Sequence, residues 1–247
     1  MPLTLVTITG ADDATNVKDL IDLSREFPFV EWGILIGSST GQRFPSYNWI
    51  HELAEAKVES RLNINLSLHL CGDHLREVTS GRSNLHGHLG NSMFVFQRVQ
   101  LNFHGEEQRT DCSEKILNAF CQIERNCFGW DPTLIFQLDG ANHNLYEAAE
   151  RRFAVCGLFD RSHGAGVVPN EWPWPYPHIQ CGWAGGLGPD NLAEELPRID
   201  AKAYPVMQYW VDMETQVRTD EVLDLDKVRR CLQISSEFMN QKVSGKR

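Results

Sequence analysis

LTLVTI, residues Leu3–Ile8, and WGILI, residues Trp32–Ile36, are short and almost wholly apolar. A strand with one wet face alternates apolar and polar residues, whereas a continuous apolar run suits a strand covered on both faces in a parallel sheet. Comparable runs recur along the chain. Strands are predicted at Leu3–Ile8, Trp32–Ile36, Ile64–Leu70, Arg98–Phe103, Thr133–Leu138, Ala154–Phe159, Ile179–Ala184 and Tyr209–Met213. Their ends fall near residues 9, 37, 70, 103, 138, 160, 185 and 215. Gaps of about 20 to 35 residues each hold one βα unit. Eight such units in 247 residues predict an α/β fold, the (β/α)8 TIM barrel. An open, doubly wound sheet is the alternative.

Helical patterns lie between these runs. Val17, Leu20, Ile21 and Ser24 share one stripe, with Asp12 and Asp13 near its start. Ile50, Leu53, Ala54 and Val58 mark a second helix, and Ile116, Phe120, Ile123 and Cys127 a third. Leu225, Val228, Leu232, Ser235 and Met239 mark the last, opened by Asp224 and Asp226. Thr79–Asn91 reads as a loop or a poorly formed helix, and Trp172–Pro177 (WPWPYP) as a rigid insert. No linker divides residues 1–247, so one domain is expected, with a frayed tail from Lys242 to Arg247.

Composition narrows the function. Hydrophobic residues make up 42% and charged residues 23%, enough for a large core. Lys+Arg total 23 against 33 Asp+Glu, a net charge of −10, which argues against a nucleic-acid partner. It leaves room for a small anion held locally by backbone groups. Seven cysteines without a CxxC pair suggest reduced thiols in a cytoplasmic protein. No run approaches the roughly 18 apolar residues of a membrane span. The sequence is silent on oligomeric state.

In a barrel, chemistry gathers at the C-terminal ends of the strands. There AGGLGPDNL, residues Ala184–Leu192, follows a strand and opens a helix, with Pro189 placed for its first turn. Its glycines and free N–H groups suit an anion, although a tight βα turn reads the same way. FDRSHGAG, residues Phe159–Gly166, ends a strand on Asp160 before a flexible loop. Asp160 is either a buried acid or a cap of its own loop.

These segments, in order, resemble phosphoribosylanthranilate isomerase. Val6–Asp13 (VTITGADD) resembles that family's first strand and loop, and Val30–Pro45, with GSSTGQRFP, its second unit. Val99–Glu107 (VQLNFHGEE), Leu158–Trp172 (LFDRSHGAGVVPNEW), Ala184–Leu192 and Val211–Val217 resemble later units. The resemblance implies an Amadori rearrangement of an N-phosphoribosyl amine in tryptophan biosynthesis, such as N-(5-phosphoribosyl)anthranilate, without a cofactor. It implies Asp160 as general acid and Arg43 on the anthranilate carboxylate. Gly164, Gly166, Gly185 and Gly186 are implied as the phosphate cradle. His104 and Thr215 stand at matching substrate-binding positions.

Two departures stand out. The family has a cysteine as base where this chain has Thr9, and a hydroxyl is a poor base unless activated. The last strand is followed by Glu214-Thr215-Gln216-Val217-Arg218 rather than a small, neutral run. Glu214 either supplies the missing base or forms a structural ion pair, and Arg218 restores attraction for phosphate if it folds inward. Other sugar-phosphate isomerases, epimerases or aldolases on this barrel, and an inactive metabolite-binding relative, stay open. His69, His74, His104, His143 and His163 lie near strand ends, but strand two offers no partner ligands, so no metal is expected there. Cys71, beside His69, is a reactive thiol or simply a buried one.

Overall fold

The computed structural model describes residues 2–37, 41–103, 115, 118–119, 130–138, 154–160, 166–176, 178–204 and 208–243. Eight strands close a parallel barrel in chain order, β1 through β8. They are β1 (Leu3–Thr9), β2 (Val30–Ile36), β3 (Asn65–Leu70), β4 (Arg98–Leu101), β5 (Thr133–Gln137), β6 (Val155–Asp160), β7 (Gln180–Ala184) and β8 (Tyr209–Met213). β8 pairs with β1 to close the ring, Val6 opposite Val211 and Ile8 opposite Met213. Each expected strand is present, within a residue or two at its ends.

Side chains alternate between two cores, as strand geometry requires. One face packs outward: Tyr209, Val211 and Met213 of β8 join Val6, Ile8, Trp32 and Ile34 under the helices. The other face fills the barrel, where Trp210 meets Ile135, Cys156 and Leu158. Gly182 makes room for that indole, since a Cβ there would fall 2.1 Å from Trp210 Cε2. Leu5, Leu35 and Ala184 also face inward, but much of the remaining interior is polar, with Thr7, Glu31, Ser67, His69, Arg98 and Gln100 buried there, unlike the branched aliphatic layers usual in such barrels. Arg98 donates two hydrogen bonds to Glu31, at 2.7 and 2.6 Å. Thr7 donates to the same carboxylate at 2.8 Å, and the Arg98 guanidinium lies 4.4 Å from the Trp210 ring centroid.

Helix α1 (Val17–Glu26) follows the expected stripe. Its one polar member, Ser24, donates to Leu20 O and accepts from Trp32 Nε1, which docks the helix on β2. Asn16, not Asp12 or Asp13, caps it. The two aspartates instead hold the neighbouring loop: Asp12 accepts from Arg43 N–H at 2.6 Å, and Asp13 from Ser46 N–H at 2.7 Å. Helix α2 (Tyr47–Ser60) buries Trp49, Ile50, Leu53 and Ala54. Val58 departs from the expected stripe and is 68% exposed. Lys57 turns inward in its place and donates to Val95 O at 2.7 Å.

The third unit is more ordered than a loop. Helix α3 (Gly72–Thr79) and helix α4 (Leu85–Leu89) are followed by a 3-10 turn, Gly90–Val95. The helix expected around Ile116, Phe120, Ile123 and Cys127 lies outside the described residues. Helix α5 (Leu192–Ala203) begins three residues after Pro189, which sits in the preceding turn and not in the first helical turn. The last helix, α6 (Leu225–Val243), is capped by Asp224 Oδ1, which accepts from the N–H groups of Asp226 and Lys227. It includes Lys242, which bonds Asp200, while residues 244–247 of the expected frayed tail lie outside the described residues. Among the described residues no helix is long and apolar enough to cross a membrane.

The WPWPYP insert packs beside the barrel wall. Trp172 is buried and donates to Glu195 Oε2 at 2.7 Å. Tyr176 stacks on Phe159, and Lys202 lies 4.3 Å from the Trp174 ring. None of Trp172 to Tyr176 lines the barrel mouth, and Pro177 lies outside the described residues.

Removing one partner of a buried ion pair strands the other charge away from water. Arg98→Met is therefore expected to lower unfolding free energy by about 3–5 kcal/mol, read by urea denaturation. A loss below 1 kcal/mol would show that Glu31 is not confined as described.

Candidate functional site

At the C-terminal strand ends a cavity of about 410 Å³ opens into the barrel. Its lining includes Thr9, Arg43, Asp160, Gly166, Gly185, Gly186, Glu214 and Thr215, so eight of the expected site residues share one space. His104 and Gly164 lie outside the described residues. Asp212, His69, Gln100, Asn102 and Gln137 add to the polar wall.

Strand register sets the centre of the site. Asp160 is opposite Ala184, and Ala184 is opposite Asp212. Two inter-strand steps therefore separate the aspartates, about 10 Å between Cα atoms, with only a methyl group between them. Asp212 is 7% exposed. Its Oδ1 accepts a hydrogen bond from Thr9 Oγ1 at 2.9 Å. Gly33 permits this arrangement, because a Cβ there would fall 2.3 Å from Thr9 Oγ1 and 2.7 Å from His69 Cε1.

Burial pushes the Asp212 carboxyl up to about 8. The Thr9 hydroxyl opposes this, while the charges of Glu214, Glu31 and Asp160 reinforce it. Thr9 is thus placed as a hydrogen-bond donor to the Asp212 carboxyl. His69 is fully enclosed, and burial followed by the Arg98 charge pulls it down to about 3, so its ring is neutral. Its Nε2 meets Ser67 Oγ at 3.0 Å. Burial raises the Cys71 thiol to about 11, with Asn102 Nδ2 donating to its sulfur. Such a thiol is protonated and unreactive. Cys71, Cys156, Cys181 and Cys231 are all free thiols.

Arg43 reaches the cavity from a tight turn. Gly41 bridges to Phe44, and the two residues between, Gln42 and Arg43, have positive φ of 45° and 81°. That is the backbone of a type I′ turn, normally filled by Asn or Gly. The bond from Arg43 N–H to Asp12 holds it. The Arg43 guanidinium pairs with Glu214, Nη1 to Oε1 at 2.5 Å. This is the ion-pair arrangement for Glu214, and it engages the arginine assigned to an anthranilate carboxylate. Arg218 does fold inward, but onto Gly10 O and Asp12, and it does not line the cavity.

The glycine loops meet at the cavity wall. Gly186 has φ 62° and no room for a side chain: a Cβ would fall 2.6 Å from Gly166 O and Val168 N. Thr215 opens a 3-10 turn, Thr215–Val217, against Gly166. Gly188 N–H is occupied by Asn191 Oδ1, while Asn191 Nδ2 donates to Gly186 O. The turn at residues 185–191 is therefore partly self-bonded, and only part of its backbone is open to an anion.

N-(5'-phosphoribosyl)anthranilate isomerase from Pyrococcus furiosus superposes with a TM-score of 0.54 at 16% identity, over 95% of this chain and 99% of that one. The chain is folded like the phosphoribosylanthranilate isomerases. The enzyme from Thermococcus kodakaraensis gives 0.53 and 16%, over 94% of this chain and 98% of that one. A native KDPGal structure gives 0.50 and 15%, over 99% and 96%. At these identities the barrel is what is shared with the isomerase structures. No protein-family model matches the chain, and no curated protein matches it.

Asp212 was missed in the sequence. The available signal was parity: Trp210, Asp212 and Glu214 alternate with the outward Val211 and Met213, which turns a carboxyl into the barrel.

The raised Asp212 value makes stability depend on pH. Between about pH 4 and pH 8 the unfolded carboxyl has released its proton while the folded one keeps it, so stability falls as pH rises through that window. Asp212→Asn removes this loss. Its advantage over wild type is expected to grow from near zero at pH 4 to on the order of 5 kcal/mol at pH 8, measured by denaturant unfolding across pH. Parallel stability curves would contradict the shift.

Proposed function

We propose that the chain is an acid–base enzyme of the aldose–ketose isomerase type. Its substrate class is a small sugar phosphate or N-phosphoribosyl amine, with N-(5-phosphoribosyl)anthranilate the first candidate. The observation that carries this reading is the pair Asp160 and Asp212, in register across Ala184 on one cavity wall.

Two carboxyls whose environments differ divide the acid and base roles. Asp212 holds the proton, because burial and the neighbouring negative charges disfavour its ionised form. Thr9 fixes Asp212 Oδ1, leaving Oδ2 to deliver the proton. Asp160 then acts as the base, the reverse of the role implied by the family resemblance. In the rearrangement, Asp212 protonates the ring oxygen as the C1–O bond breaks, and the amine lone pair forms the imine. Asp160 removes the C2 proton, and those electrons form the enolamine, which tautomerises to the ketone. One proton leaves the enzyme and one returns.

Glycines 166, 185 and 186 and Thr215 offer backbone and hydroxyl contacts for the phosphate. The Arg43–Glu214 pair favours a second reading within the same chemistry. A substrate without a carboxylate would leave that pair intact, as another sugar-phosphate isomerase, epimerase or aldolase would require.

Activity on phosphoribosylanthranilate and a panel of pentose and hexose phosphates separates these. On the true substrate, Asp212→Asn and Asp160→Asn are each expected to reduce kcat by roughly 10²–10⁴-fold. Wild-type kcat/KM is expected to fall as pH rises through about 8, where Asp212 loses its proton. A rate that rises through that pH would reverse the two roles. Full activity in either variant would remove that residue from the chemistry. No turnover and no stabilisation by any panel member would favour an inactive relative.

A further inference from the structure

Outside the cavity, α3 and α4 bring three metal-donor side chains together among the described residues. His74 and Glu77 are three residues apart on α3 and share a face, while His88 comes from α4. One ring nitrogen of each histidine and a carboxylate oxygen of Glu77 lie within 4.8 Å of one another. The two imidazoles meet edge to face with centroids 5.1 Å apart, and Tyr47 stacks on His88 at 5.2 Å.

A second observation points to an ion. His74 is 6% exposed. Its Nε2 is 2.9 Å from the Tyr47 hydroxyl, while its buried Nδ1 has no hydrogen-bond partner. A buried polar atom left unpaired is costly. One imidazole nitrogen on a metal and the other held by an oxygen is the usual surrounding of a histidine ligand. The other two donors are also steadied. Asn84 N–H donates to Glu77 Oε2, and Asn84 Nδ2 lies by His88 Nε2, both at 3.3 Å. Gly87 leaves space for this, because a Cβ there would fall 2.2 Å from Asn84 Oδ1.

We propose that His74, Glu77 and His88 bind one zinc-class divalent ion, with His74 Nδ1 as a ligand and a fourth position open to water. Two imidazoles with one carboxylate suit Zn²⁺, Co²⁺ or Ni²⁺, whereas Mg²⁺ and Ca²⁺ take oxygen ligands. Bonds of about 2.0–2.1 Å place tetrahedral ligand atoms about 3.3 Å apart. The three donors lie within 4.8 Å of one another, so binding an ion draws them in by at most about 1.5 Å. The ion ties α4, a helix of only five residues, to α3. α3 starts directly after Cys71, which lines the cavity. The site uses no residue of the acid–base pair, so it stands or falls independently of the proposed reaction.

The full chain, stripped with a chelator, would be titrated with Co²⁺ and then Zn²⁺. Expected is one Co²⁺ per chain with the visible bands of a four- or five-coordinate ion, displaced by Zn²⁺. His88→Ala and Glu77→Gln, both at half-buried positions, are each expected to weaken binding at least tenfold with unchanged far-UV circular dichroism. Equal affinity in wild type and both variants would overturn the proposal. X-ray absorption of the zinc-loaded wild type needs no variant. Two imidazoles and no sulfur are expected, and a thiolate in the shell, or fewer than two imidazoles, would overturn it.

Discussion

Glu31 and Arg98 are joined by two hydrogen bonds inside the barrel, where neither reaches water. Such a pair adds little net stability, but neither member can be left without the other. It therefore constrains the rest of the interior. Thr7 must face Glu31, Trp210 must lie over Arg98, and Gly182 must leave room for Trp210. One layer higher, burial first and then the Arg98 charge keep His69 neutral, and burial, reinforced by the charges of Glu214, Glu31 and Asp160, makes Asp212 resist ionisation. The polarity of the barrel floor reaches the cavity in this way.

The same logic governs the cavity rim. Asp160, Asp212 and Glu214 converge there, and Arg43 pairs with Glu214. Neutralising one carboxylate in an ion pair and holding another protonated reduces the repulsion that three anions would create. An anionic substrate then meets less negative charge than the chain's overall balance of −10 suggests. Arg43 is held in this role by a positive-φ backbone and by Asp12, a residue from the adjacent loop.

The barrel was legible because its signal is repeated. Eight apolar runs at unit spacing survive an error of one residue at any end. The helix stripes within the described residues were nearly as clear, except where a charged residue with a long stem took an apolar position, as Lys57 does beside Val58. The site was legible only in part. Strand-end position found Thr9, Asp160 and Glu214, but could not show which side chains bond one another. Asp12 and Asp13 looked like helix-opening residues, yet they reach across to the next loop. Asp212 lay inside a strand read for its apolar residues, where only parity marks it. The cluster of His74, Glu77 and His88 depends on how two short helices fold together, which residue spacing does not encode.

The central claim is that a buried aspartic acid, held by Thr9, keeps its proton to about pH 8. Carbon-13 NMR of protein labelled at the aspartate carboxyls, with Asp212→Asn used to assign the resonance, measures this directly. A titration midpoint near 8 is the expected result. A midpoint near 4, the ordinary range for an aspartate, would contradict it.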